Sequence, residues 1–519
     1  MKPFLILLCT CMSARAIAQV PEDALKFSFY PQNGTARNMA VGGAMGSLGG
    51  DITAVYVNPA GLAFFRTGEA VISGSWLNAK NTNTYRKYES TNNYYTPTLG
   101  ASGIIGPVDT RFGHRNSNTT VAVAINQTVS FHKDVSYSGM NNYSSFAETF
   151  AEEFSKSQKS IDEVLTTSSP YPFTSAPALY TYLIDTVRNS NGQLIVRSAP
   201  EMSLQNGNAL KQTYSDQTKG GIYELAVSAA HFDGKKLMVG ATLGIPLIVF
   251  KRAFNFSELD TTVAQTNFRS FSFHDSQKTT GAGANLKIGM IYKPVEYVRL
   301  GLAVNTPSVM MLSDTRTTTL ATKLSPPYTS NHTQYEASSS KFNSDLPGKQ
   351  DYLQMTAWRF ISSASYVIRE IEDVTKQRGF ITADVEYVTH GSGNFMSQED
   401  EPTESEKQYY KDLGKVVKNE YKSAFNFKVG GELKFNTIMA RLGAAYYSNP
   451  YRDAALQASK TLLSGGLGYR NKGIFIDLTY VHNMSKDVNF PYRLAEKNNT
   501  FASTITNSGL VMATFGVKF

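Results

Sequence analysis

Cysteine is nearly absent from these 519 residues: there are two, Cys9 and Cys11, and both lie in the first dozen positions. That opening stretch carries Lys2, an apolar run from Phe4 to Met12 and Ala16-Ile17-Ala18 before Gln19, the pattern of a secretory signal with a small-residue cleavage site, so residues 1–18 are expected to be removed. The mature chain then has no thiol, disulfide or cysteine metal site. A lipoprotein reading of either cysteine lacks the small residues of a lipobox ahead of it. Long apolar runs are also missing after the signal, and mean hydropathy is only -0.26, which excludes membrane-spanning helices. The seven histidines (His114, His132, His231, His274, His332, His390, His482) never pair at ligand spacing, which argues against metal. A single axial ligand for haem, such as His332 or His390, has no support from their spacing. No nucleophile elbow, phosphate loop or His-Glu-x-x-His occurs, and Gly281-Ala282-Gly283 lacks the third glycine of a dinucleotide site. Neither a cofactor nor an enzyme is expected. The formal charge of +8, or +6 once Lys2 and Arg15 leave with the signal, is scattered, with no aromatic-interleaved basic patch for nucleic acid.

What is abundant is tyrosine, phenylalanine and glycine: 29, 30 and 39 residues against two tryptophans. These suit strands with aromatic girdles and close-packed turns. Alternation with period two runs through most of the chain. Leu237, Val239, Ala241, Leu243, Ile245 and Leu247 share one face, with Met238, Gly240, Thr242 and Gly244 on the other. Phe425 to Leu433 and Ile474 to Tyr480 repeat the pattern. A soluble sandwich alternates too, so connection lengths must decide. Strands are expected near 69–83, 96–105, 119–139, 220–231, 236–256, 266–292, 295–312, 350–367, 379–392, 421–434, 438–448, 459–470, 473–484 and 507–519, about fourteen in all. Tight turns at Asp233-Gly234, Lys293-Pro294, Asn436-Thr437 and Asn471-Lys472-Gly473 alternate with long connections near 140–219, 313–349, 394–420 and 485–506. Short periplasmic turns and long outer loops predict an all-β membrane protein, an antiparallel transmembrane β-barrel occupying 67–519, in the cell outer membrane of a Gram-negative type. The chain ends on Val511, Ala513, Phe515, Val517 and Phe519, similar to the insertion signal read by the barrel assembly machinery.

Residues 19–66 precede the strands, and within them Gly34 to Phe65 fit neither strand nor ordinary helix, although Ala36 to Ala44 can make one or two helical turns. Small residues crowd this stretch (Gly42, Gly43, Ala44, Gly46, Gly49, Gly50), followed by Asp51, Ala54 and Asn58-Pro59-Ala60-Gly61-Leu62-Ala63. Side-chain-poor backbone suits tight enclosure, and Pro59 holds Asn58 out of the α region. A glycine-rich surface loop has the same composition; the strands behind it favour a lumenal plug. The stretch resembles the hatch of the FadL/TodX family, most specifically at Asn58, Pro59 and Ala60, with Gly61 following, over about a tenth of the chain. The resemblance implies a fourteen-stranded outer-membrane barrel passing long-chain fatty acids or other hydrophobic small molecules, with these residues in hatch gating. PorV-type shuttle barrels of type IX secretion share the motif, which would instead imply a protein partner at the outer loops and no small-molecule transport.

Opposite the apolar stripes lie Arg299, Asp384, Glu386, Lys428, Glu432, Arg441 and Asp477. Facing lipid at mid-depth each would cost several kcal/mol, about 2–4 for a cation. They are therefore expected in the lumen, either bracing barrel and hatch or, for Arg299, Lys428 and Arg441, holding a ligand carboxylate. In the longest loop Phe146, Phe150 and Phe154 recur at helical spacing, and Ala178 to Val187 is a second apolar, helix-like stretch; they form either a ligand-capturing vestibule or a self-packed cap. Gln398 to Lys422 reads as a charged, solvated helix. Strand kinks at Pro246 and Gly240 to Gly244 are the expected sites of a lateral exit.

Overall fold

The computed structural model describes residues 21–108, 118–262, 268–324, 333–368, 378–454 and 456–519. The signal stretch thus lies outside the described residues. Fourteen antiparallel strands follow one another around a closed barrel. They are β1 (Glu69–Tyr85), β2 (Tyr88–Leu99, then Ser102–Pro107), β3 (Thr119–Ser130, then Lys133–Asn141), β4 (Leu210–Phe232), β5 (Leu237–Asp260), β6 (Phe268–Val295) and β7 (Val298–Asn305, then Val309–Leu324). Next come β8 (Gly348–Met355, then Arg359–Ile368), β9 (Gly379–Val388, then Asn394–Ser397), β10 (Ala424–Phe435), β11 (Ile438–Tyr447), β12 (Lys460–Asn471), β13 (Ile474–Asn489) and β14 (Ala502–Lys518). The ring closes where β1 pairs with β14 from Glu69↔Lys518 to Thr84↔Ser503. Closure pairs the first strand with the last, so neither end of the sheet is left as an open edge.

The period-two pattern sorts the faces as the sequence implied. In β5, Val239, Ala241, Leu243, Ile245 and Leu247 point outward while Met238 and Thr242 are buried. Ile381, Val385, Phe427, Val429, Leu442, Leu467, Ile476 and Leu478 continue an exposed apolar belt around the outer face.

Two expectations about the connections fail. Residues 84–95 form no long loop: β1 and β2 run on to a two-residue turn at Arg86 and Lys87, both with positive φ (51° and 72°), the primed geometry whose twist matches a hairpin. At the end carrying the barrel's two termini, 108–118 and 369–378 are longer than tight turns. Strict alternation of short and long connections is therefore broken at three places.

The lumen is filled in tiers. At the terminal end sits the hatch, with helices α2 (Ala36–Ala40) and α3 (Ala54–Val57) and the 3-10 turn Pro59–Phe64, whose Ile52, Val55, Leu62 and Phe65 pack on Ala122, Ala226, Met238 and Ile291 of the wall. Above it α1 (Pro21–Lys26) lies across the lumen, burying Leu25 and, just beyond its end, Phe27 against Ile248, Phe250, Met310 and Tyr352. Tyr410, Leu413 and Val417 of the loop helix Glu404–Glu420 join this cluster, so that helix is amphipathic and caps α1, where a merely solvated face was expected. At the far end the long loop folds over the mouth with helix Ala147–Ser157, helix Ser175–Tyr180 and a hairpin of Ile184–Arg188 with Leu194–Ser198. The expected second helix thus covers only the start of 178–187.

Candidate functional site

Asn58 ends α3 in an extended conformation and caps the 3-10 turn, its Oδ1 accepting from Ala60 N at 3.1 Å, with Pro59 preset for the first helical position. Asn58 Nδ2 donates to Gly46 O at 2.6 Å inside the hatch and to the wall carbonyl of Met290 at 3.2 Å. It can reach that carbonyl because the wall there is bare. A Cβ on Gly289 would sit 1.8 Å from Asn58 Oδ1, and one on Gly301 would sit 2.2 Å from Gly46 O. Hatch and wall touch backbone to backbone, which explains why small residues are needed on both. Thr35 caps α2 and donates to Asp51 at 2.7 Å, while Ala36 N donates to Thr514 Oγ1 at 2.8 Å, fastening the hatch on its other side.

The seven lumenal charges all face inward. Arg441 bridges Glu432 at 2.6 Å and Asp477 at 2.5 Å, and Arg37 of the hatch joins Glu432 at 3.3 Å. Asp384 accepts from Gly46 N at 2.9 Å and Ser363 Oγ at 2.5 Å. Glu386 is held between Lys428 at 3.4 Å and Arg359 at 3.0 Å, and Arg359 also donates to Ser28 O of the N-terminal segment. Arg299 lies over the Phe64 ring at 4.4 Å. Lys428 and Arg441 thus meet protein carboxylates, and the hatch is a direct member of two of these networks. Such pairs stabilise little net of desolvation, but removing one member strands its partner. His390 packs edge-on against Phe29 at 5.5 Å, near Ser28 Oγ at 3.4 Å; His332 lies outside the described residues. Among the described residues no group of three or more His, Asp or Glu is placed to hold a metal.

The wall is weakest between β2 and β3, not at Pro246. Pro246 pairs with Glu224, and towards β6 only two pairs lapse while Ala282↔Leu247 and Asn285↔Gly244 keep the register. Gly240 is closed from inside, a Cβ there lying 2.5 Å from Pro59 C. By contrast, β2 and β3 share a ladder only where Ser102–Pro107 meets Thr120–Ile125. Beyond it, β2 is broken at Gly100-Ala101, and β3 shifts register between Gln127 and Val129 and breaks at Phe131-His132. Among the described residues side chains bridge this seam. Ser136 N donates to Asn92 Oδ1 at 3.2 Å and Ser136 O accepts from Ser90 Oγ at 3.1 Å, while Asn83 Nδ2 of β1 reaches past β2 to the same carbonyl at 3.1 Å. At its lower end Asn33, which leads into the hatch, donates to Leu99 O at 3.0 Å and Gln127 O at 2.8 Å. Phe27 meets Phe131 at the break, ring centroids 5.5 Å apart.

Under the loop cap a cavity of about 300 Å³ opens at the mouth. Phe146, Phe150, Phe254, Phe273 and Tyr492 give it an aromatic wall; Phe154 is buried in the cap and does not line it. Its polar side holds Arg252, paired with Asp216 at 2.9 Å, and Arg316, paired with Asp275 at 2.8 Å. Glu153 also lines it, accepting from the Thr174 and Ser175 hydroxyls, and burial raises its pKa above the ordinary carboxylate range.

No protein-family model matches the sequence, and no curated protein matches it. Solved structures do. A FadL homologue from Pseudomonas aeruginosa superposes with a TM-score of 0.52 at 12% identity, covering 95% of this chain and 99% of that one. The fold is that of the FadL barrels. The toluene transporter TodX of P. putida gives a TM-score of 0.50 at 13% identity over 94% and 99% of the two chains. A deltaS2 mutant of the monoaromatic hydrocarbon channel TodX gives 0.51 at 13% identity over 95% and 100%.

Within this FadL-type fold, Asn58, Pro59 and Ala60 meet β5 and β6 at the wall and Gly61 packs inside the hatch on Leu48 and Ala54, while Phe146 and Phe150 stand at the opposite end of the lumen. Sequence reasoning missed Asn33, Gln127, Arg252, Arg316 and Glu153. A turn-forming Asn-Gly at 33–34 was the one legible hint; the others sit in unremarkable strand or helix.

Proposed function

We propose that this chain is an outer-membrane channel for passive passage of hydrophobic small molecules, with long-chain fatty acids the leading candidates. The apolar belt and the FadL-type fold support placement in the outer membrane. One observation carries the channel reading: the β2–β3 seam is held by side chains and by Asn33, so it can part without breaking a backbone ladder. A ligand first enters the aromatic cavity at the mouth, where Arg252, Arg316 and Arg493 can attract a carboxylate. Movement inward displaces Leu25 and Phe27 from the lumenal cluster, and because Phe27 rests on Phe131, that motion reaches the seam directly. The molecule then leaves sideways into lipid. The process needs no energy source, since transfer of apolar surface from water to hydrocarbon is favourable by about 25 cal/mol per Å².

The test is a seam lock. With Cys9 and Cys11 confined to the signal stretch, Asn92→Cys with Ser136→Cys introduces the mature chain's sole thiol pair. Oxidation should abolish uptake of labelled oleate into cells or proteoliposomes, and reductant should restore it. Full uptake through the oxidised, cross-linked protein would overturn the lateral route.

A further inference from the structure

On the outer face, across the wall from the hatch anchor, the apolar belt is dented by a groove of about 580 Å³. Ala229 and Ala241, paired across β4 and β5, form its floor, and Val239, Ile288, Met290 and Val304 form its sides. Small side chains there leave a trough among larger neighbours. Only backbone separates it from the gate motif, since Gly240 and Gly289 are the positions where a Cβ would strike Pro59 and Asn58.

The groove runs toward the terminal end, and the rim there is basic. Lys235 and Lys236 stand in the β4–β5 turn and Lys293 closes β6; Lys293 N donates to Lys236 O and Lys236 Nζ to Pro294 O, both at 2.9 Å, so the two turns lie side by side. Asp233, itself exposed, accepts on its Oδ1 from the backbone N–H of Lys235, Lys236 and Leu237. Among the described residues the other acid on this rim is the exposed Glu296, which leaves three lysines against two carboxylates. Tyr292 and Tyr297, 41% and 47% exposed, flank the lysines at the depth where aromatic rings favour a membrane interface. Val239 and Met290 are each three residues from Lys236 and Lys293, about 10 Å at the rise of a strand. An acyl chain in the groove thus places its phosphate at the depth of the lysines; Lys293, at an odd offset from Met290, has to reach the outer face by its long side chain.

We propose that this groove binds one anionic phospholipid of the periplasmic leaflet, its acyl chain against the wall behind Asn58 and its headgroup on Lys235, Lys236 and Lys293. Apolar surface fixes the chain, and the cationic rim selects the headgroup. The inference rests on the membrane placement above.

The experiment reconstitutes the full mature chain into vesicles of phosphatidylethanolamine with phosphatidylglycerol, extracts it gently and counts retained lipid by native mass spectrometry. One phosphatidylglycerol should be retained in preference to phosphatidylethanolamine. The variant K235Q/K236Q/K293Q should lose that preference, by about fivefold per lysine, while Ala241→Phe, which fills the groove, should lower retention of both lipids. Equal retention of the two headgroups by the wild type, or phosphatidylglycerol retention unchanged in either variant, overturns the proposal; so does retention of apolar cargo alone. Failure of the protein to insert as a heat-modifiable band would instead sink the membrane placement itself.

Discussion

Adding one methyl group to the wall should open the hatch. In Gly289→Ala the new Cβ would stand 1.8 Å from Asn58 Oδ1, 2.8 Å from its Cγ and 3.0 Å from Pro59 Cδ, closer than atoms pack. β6 is fixed by ladders on both sides at this point, Gly289↔Gly240 and Gly289↔Ala303, so the hatch must yield. Asn58 then loses its bonds to Gly46 O and Met290 O and its cap on Ala60 N. At about 1 kcal/mol each, the loss is roughly 3 kcal/mol, or about a hundredfold in the ratio of seated to unseated hatch. Hydrogen exchange across residues 42–62 should accelerate accordingly, and ion leak in planar bilayers should rise, while the heat-modifiable barrel band persists. Asn58→Ala should reproduce the effect, and combining it with Gly289→Ala should add little, because the clash is with the removed side chain. Wild-type exchange and conductance in Gly289→Ala, or effects that add fully in the double variant, would refute this account of the anchor.

Asn33→Ala removes the donor to Leu99 O and Gln127 O at the seam, worth about 1–3 kcal/mol for the pair, and should raise the rate of fatty-acid release into liposomes; an unchanged rate would detach Asn33 from gating. Phe146→Ala strips one aromatic wall from the mouth cavity and should weaken binding of a fluorescent fatty acid about tenfold, read by titration of purified protein. Burial raises the Glu153 pKa, so its contribution to the loop cap is fully present below the unfolded value near 4.3 and is lost as pH rises through the higher folded value. Exchange in residues 147–180 should therefore be slowest in acid and increase with pH, and Glu153→Gln should flatten that dependence.

Which face of each strand meets lipid was legible because alternation is a local property: Val239 and Thr242 report their sides within one strand. The number of strands followed from the same pattern, helped by turn residues at Asp233-Gly234 and Asn471-Lys472-Gly473. The Asn58-Pro59-Ala60 motif was legible too, since its capping of a short turn involves neighbours two residues apart. The β1–β2 turn was missed because Asn, Thr and Ser in 81–92 look like loop, whereas in the fold they face a lumen rich in hydrogen-bond partners, as in Asn83 with Asn92. Pro246 misled for a related reason: proline's missing N–H costs a ladder bond, but the long ladders on both sides of β5 keep the register there. The site itself was decided by contacts between distant stretches. Asn58 and Met290 are 232 residues apart, Arg37 and Glu432 395, and Asn33 and Gln127 94. Gly289 carries no trace in its own neighbourhood of the residue it makes room for. Periodicity therefore determined the barrel, and only closure of the ring decided which glycine faces the hatch, which charges grip it and where the wall lacks a ladder.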